Sequence, residues 1–158
     1  MNRPTFHEVY MQVAYAISQR ATCPDRKVGC VLIDKDFRVL STGYNGVPSG
    51  VKHCTLENPC PGRSGDHCHA IHAEQNALLQ CPDTRLVSIA YVTTSPCLTC
   101  AILLSNTNCR VIIYDEAKHY NNEIKDFWES SGKSRALLHI EEALESKATI
   151  KLLTQLMK

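Results

Sequence analysis

IHAEQNALLQ, residues 71–80, and TSPCLTC, residues 94–100, are two helix starts that carry polar or thiol side chains where an apolar face is about to begin. In the first, His72 and Glu74 stand two apart at the head of a helical run over 72–80. In the second, Cys97 and Cys100 stand three apart, just after Pro96. Proline is tolerated in a first helical turn, because its missing N–H would have no partner there. Side chains at i and i+3 share a face, and a helix N-terminus favours thiolate over thiol. If His72 meets the two thiols, three ligands converge. Three protein ligands plus water is the arrangement of a catalytic zinc, whereas four protein ligands close a structural one. Such a metal lowers the pKa of its bound water to about 7. Glu74 would then sit beside the metal without ligating it, placed to carry protons. Taken singly, His72 reads as a surface histidine and Cys-x-x-Cys as a redox or structural-zinc pair. The conjunction of two helix starts, the proline and the x-Glu spacing favours the catalytic reading.

Working outward, the neighbouring segments read as alternating elements. Phe6, Val9, Val13 and Ile17 recur at helical spacing behind Thr5, a natural N-cap, which predicts a helix over 5–20. KVGCVLI (27–33) and RVLSTGY (38–44) flank DKDF as the strands of a hairpin. A buried strand is expected at 87–93, a helix at 97–106 and a strand at 110–114. The pattern predicts an α/β fold of three layers, with a central mixed β-sheet flanked by helices. Residues 121–158 are charged and helix-prone, a C-terminal helical extension of one 158-residue domain. In it, Leu144, Ile150, Leu153 and Leu156 could face a neighbouring subunit or the chain's own core.

Composition excludes several classes. Apolar residues make up 44% of the chain and charged residues 21%, which is neither a disordered nor a membrane composition. No apolar run approaches the roughly 20 residues that span a bilayer. MNRPTFHEVY at the start lacks the apolar core of a signal peptide, so a cytoplasmic protein is expected. Net charge is +1 with Lys and Arg scattered, which argues against a polynucleotide partner.

The nine cysteines are odd in number, so complete pairing within one chain is impossible. Metal ligation and burial remain. Cys30, Cys81 and Cys109 lie in or beside apolar runs and read as small buried hydrophobes. Cys23, Cys54, Cys60 and Cys68, with His53, His67 and His69 nearby, form a second possible cluster. Residues 45–69 have no periodicity, and a loop this long is usually functional or pinned by a metal. A zinc held by four cysteines, or by three cysteines and a histidine, would tie it to the end of the first helix.

HAE followed by PCLTC is the H-x-E…P-C-x-x-C signature of zinc nucleobase deaminases. With KVGCVLI, STGYNGVPSG and the cysteine loop in order, residues 5–120 resemble the deoxycytidylate (dCMP) deaminases of bacterial and phage type. The resemblance implies that His72, Cys97 and Cys100 bind the catalytic zinc. It implies hydrolysis of dCMP to dUMP and ammonia by zinc-activated water, with Glu74 as proton shuttle, supplying dUMP for dTMP synthesis. Asn45 and the Ala73 N–H would meet the nucleotide, Arg26 the phosphate, and Tyr120 the region of sugar and base. Some members carry a second, structural zinc in the cysteine loop. The resemblance also implies a homohexamer activated by dCTP and inhibited by dTTP, with an effector site near Gly43, Tyr44, Asn45 and Gly46. As a motif, a Gly-rich turn can only offer backbone N–H groups to phosphates. Two rivals stand beside this reading. One is a sister deaminase acting on cytidine, cytosine or a tRNA adenosine; the other is a non-catalytic zinc module that binds nucleotides.

Overall fold

The computed structural model describes residues 3–60, 62, 67–145, 151 and 153–155. Helix α1, Phe6–Ser18, opens on the expected cap. Thr5 accepts from the Glu8 N–H, and the Glu8 carboxylate accepts the Thr5 N–H in return. β1 (Gly29–Ile33) and β2 (Val39–Tyr44) form the antiparallel hairpin. Its turn is closed by the Asp34 carboxylate, which accepts N–H bonds from Asp36 and Arg38. After the long loop come α2 (Ala73–Gln80), a 3₁₀ turn at Thr84–Leu86, β3 (Ile89–Thr94), α3 (Leu98–Ser105) and β4 (Val111–Glu116). The chain continues through α4 (Asn122–Ser130), β5 (Ala136–His139) and α5 (Ile140–Glu145).

The five strands run β2-β1-β3-β4-β5. β1 is antiparallel to both neighbours, and β3, β4 and β5 are mutually parallel. The sheet is therefore mixed, and helices cover both faces, as the alternating pattern predicts. Residue parity divides the core. Cys30, Leu32, Ala90, Val92 and Ile112 pack with Ala77 of α2, Leu104 of α3 and Trp128 of α4. Val31, Ile33, Tyr91, Val111 and Ile113 pack with Met11 and Ala14 of α1 and Ala143 of α5. Successive side chains of a strand point to opposite faces, so one buried strand serves two cores. Among the described residues, no helix is long and apolar enough to cross a membrane.

Two sequence expectations change here. The tail is not wholly helical, because Ala136–His139 adds a parallel edge strand to β4. Four residues between charged segments carry too little periodicity to read as a strand; pairing with β4 makes them one. In the tail, Leu153 is buried in the chain's own core beside Ala143, while Leu144 is exposed. Ile150 and Leu156 lie outside the described residues.

Candidate metal and nucleotide site

His72 and Cys97 are the N-caps of α2 and α3, both with extended backbone (φ −71°, ψ 158° and φ −75°, ψ 166°). Each side chain thus leaves just before its helix begins, into the space between the two helix starts. α2 is held there by a close approach to β2. A Cβ on Gly43 would overlap the Ala73 carbonyl and the Ala77 amide, so only glycine lets the helix seat. Ser41 Oγ donates to the Ala77 carbonyl at 2.7 Å, and Asn76 Nδ2 to the Tyr44 carbonyl at 2.7 Å. The Gln75 side chain reaches back to accept the His72 N–H at 2.8 Å.

His72 Nδ1 lies 3.5 Å from Cys97 Sγ and 3.4 Å from Cys100 Sγ. All three ligand atoms lie within 4.8 Å of one another. A tetrahedral zinc with ordinary Zn–N and Zn–S bonds sets nitrogen and sulfur about 3.6 Å apart, so the donor set fits that ion. The Cys97 thiol is held down at about 3 by hydrogen bonds from Cys100 and His72, while sharing that bond pushes Cys100 up. A lowered thiol favours the thiolate form that a zinc ligand requires. Glu74 is 4% exposed and in hydrogen-bond contact with Cys100, and burial raises its carboxyl above the usual range.

A hollow of about 70 Å³ lies against this cluster, lined by Arg26, Val28, Asn45, His72, Ala73, Glu74, Thr94, Ser95, Cys97 and His119. Arg26, Val28, Thr94 and His119 also line an adjoining hollow of about 280 Å³, together with Lys27, Lys118, Asp25 and Glu116. The sequence-derived residues Asn45, Ala73 and Arg26 therefore come together beside His72 and Cys97. Asn45 is also a brace: its Oδ1 accepts the Val28 N–H at 2.8 Å and its Nδ2 donates to the Arg26 carbonyl at 3.0 Å. One amide hydrogen is left for a ligand. Tyr120 lies outside the lining of both hollows; its ring stacks on Tyr114 at 5.8 Å.

Thr94, Ser95 and His119 belong to the hollow but carry no recognisable motif. They arrive from the carboxyl end of β3 and the segment after β4. In a parallel sheet that end is where ligands bind, and the position of β3 and β4 in the sheet was the signal available.

The GYNG turn does not offer amides to a phosphate. The Asn45 N–H goes to the Val28 carbonyl, the Gly46 N–H to Ile71 and the Val47 N–H to Thr22 Oγ1. Tyr44 and Gly46 instead line a third hollow of about 600 Å³, with Arg20, Ser49, His53 and Gln80 among its other walls.

In the loop, Cys60 Sγ and Cys68 Sγ are 3.3 Å apart. Burial first, and then Cys60, Cys68 and Cys23, push the Cys54 thiol up, so all four cysteines share one neighbourhood. Among the described residues, however, only His72, Cys97 and Cys100 have three ligand atoms drawn together as tightly as a metal site needs. Cys30 and Cys109 are fully buried, as expected of small hydrophobes, and Cys81 is partly so.

Comparison with known proteins agrees with this geometry. The family described as the cytidine and deoxycytidylate deaminase zinc-binding region matches residues 4–116. A deoxycytidylate deaminase of Mycobacterium phage D29 is 38% identical over 125 residues, covering 72% of this chain and 97% of that protein. The deoxycytidylate deaminase of Schizosaccharomyces pombe is 33% identical over 140 residues, and there the chain spans only 43% of the relative's length. The crystal structure of dCMP deaminase from the cyanophage S-TIM5 superposes with a TM-score of 0.68 at 25% identity, covering 87% of this chain and 99% of that one. A ligand set on two helix starts, a buried glutamate beside it and these matches lead to one assignment: the chain belongs to the cytidine and deoxycytidylate deaminase family, as a member of the phage deoxycytidylate deaminase type.

Proposed function

We propose that this chain hydrolyses dCMP to dUMP and ammonia, supplying dUMP for dTMP synthesis. The observation that carries the reading is a buried carboxylate, Glu74, in the wall of a small hollow that also exposes His72 and Cys97. Zinc held by His72, Cys97 and Cys100 with one position open would supply an activated water at neutral pH. Glu74 would take a proton from that water and deliver it to N3 of the pyrimidine, then take the proton of the new C4 hydroxyl and pass it to the departing amine. The C4–N bond breaks, a C4–O bond replaces it, and the carboxylate is regenerated. Burial favours this role, because it raises the carboxyl above its ordinary range and makes the carboxylate a better proton acceptor. The Ala73 N–H, at the start of α2, has no partner within its helix and suits the pyrimidine carbonyl. Asn45 uses its remaining amide hydrogen on the sugar end. Arg26, between the narrow hollow and the wider basic one, takes the phosphate, and Lys27 and Lys118 add positive charge.

The test is a panel of dCMP, CMP, dCTP, cytidine and a tRNA anticodon stem, each with and without dCTP as effector. Loss of absorbance with dCMP, and little with the rest, is the expected result; a faster reaction on cytidine would overturn the assignment. Regulation by dCTP and dTTP fits the 600 Å³ hollow, where Arg20 rather than the backbone of the turn would meet phosphates. Exposed Leu79, Ile102 and Leu103 on α2 and α3 fit subunit contacts in a homohexamer.

A second zinc belongs to Cys23, Cys54, Cys60 and Cys68. Purified protein is expected to hold two zinc per chain, and Cys60→Ser to lower both zinc content and melting temperature. One zinc per wild-type chain would dispose of the second site.

A further inference from the structure

We infer that His119 is a specificity-determining residue that holds the Arg26 guanidinium in place for a nucleotide's phosphate; this rests on the deaminase reading above. His119 Nε2 lies 3.3 Å from Arg26 Nη1. A guanidinium has no acceptor, so Arg26 donates and the imidazole accepts, which puts the ring proton on Nδ1. The histidine is itself anchored. Its backbone N–H donates to Ser95 Oγ at 2.8 Å, and the Ser95 N–H donates to the Glu116 carbonyl at 2.7 Å. Ser95 stands two residues before Cys97, so the His119 backbone is held against the same strand end that launches α3.

Arg26 is thus gripped at both ends. Its carbonyl takes the Asn45 amide, and its head meets His119. A long flexible side chain loses less on binding when it is ordered beforehand, and its remaining N–H groups match a phosphate in paired fashion. Arg26 and His119 stand where the narrow hollow adjoins the wider one, the place where a base in the first would put its 5′ substituent. The pair makes the site prefer a nucleoside monophosphate to the bare nucleoside.

The test measures calorimetric binding of dUMP and deoxyuridine, with KM for dCMP alongside, in wild type, His119→Ala, His119→Gln, Arg26→Ala and the double alanine variant. Loss of a hydrogen bond to a charged group predicts roughly tenfold weaker dUMP binding and a similar rise in KM for His119→Ala, with deoxyuridine binding unchanged. His119→Gln, whose carbonyl can accept from Arg26, should recover most of the loss. The double variant should be no weaker than Arg26→Ala alone. His119 is only half-buried, so the alanine variant should fold, and Arg26→Ala with His119→Gln gives the same answer without it. Equal weakening of dUMP and deoxyuridine, no recovery in His119→Gln, or additive effects in the double variant would overturn the proposal. A wild type that binds dUMP over deoxyuridine yet leaves dCMP intact would sink the deaminase reading instead.

Discussion

Glu74→Gln is expected to slow dCMP turnover by about 10²- to 10⁴-fold, the usual worth of a positioned proton carrier, while zinc and nucleotide still bind. The amide has the shape of the carboxyl but can neither take a proton from water nor return one to the leaving amine. Little stability should be lost. The native carboxyl is buried and already pushed toward its neutral form, so a neutral isostere removes a cost of burial. Steady-state rates, metal analysis and dUMP calorimetry on one preparation decide the matter. Turnover near wild type in a zinc-loaded Glu74→Gln protein would mean that another group moves the protons.

Cys100→Ser attacks the same site from the metal side. Cys100 is fully buried, and its Sγ completes the three-donor set with His72 and Cys97. A serine hydroxyl stays protonated at neutral pH and is a poor zinc ligand, so two donors remain. The variant should lose the catalytic zinc, with activity at background. An ion held at 1,000 times its Kd contributes about 4 kcal/mol to the folded state. For a chain of this size that corresponds to a Tm lowered by about 8–16 °C. A chelator should lower the wild-type Tm by more than it lowers the variant's, because the variant has only the second zinc left to lose. Full zinc content and activity in Cys100→Ser would remove this cluster as the metal site.

Some of this is readable in the chain because the relevant spacings are local. His72 and Glu74, or Cys97 and Cys100, are placed by the start of a single helix, whose geometry follows from its own few residues. Helix α1 announces itself by its helical spacing, strands β1 to β4 by runs of β-prone residues, and α2 and α3 by the residues at their starts. β5 does not, because its four residues gain their pairing only from β4. Asn45 reads as a residue for ligand or turn; that it also clamps Arg26 and Val28 depends on β2 lying beside the segment before β1. The Asn45 and Gly46 amides of the GYNG turn look available in sequence and are spent in the fold on Val28 and Ile71, and the next one, of Val47, on Thr22.

By itself, the sequence determined the layered α/β class and pointed to the cluster of His72, Cys97 and Cys100 with Glu74 beside it, since helix starts and strand-forming runs are short-range consequences of residue type. Only the tertiary structure decided that His119 and Ser95 share the hollow with Arg26, and that Leu153 belongs to the chain's own core. Those neighbours lie tens of residues apart, and they meet because the parallel pairing of β3 with β4 brings two strand ends to one edge of the sheet.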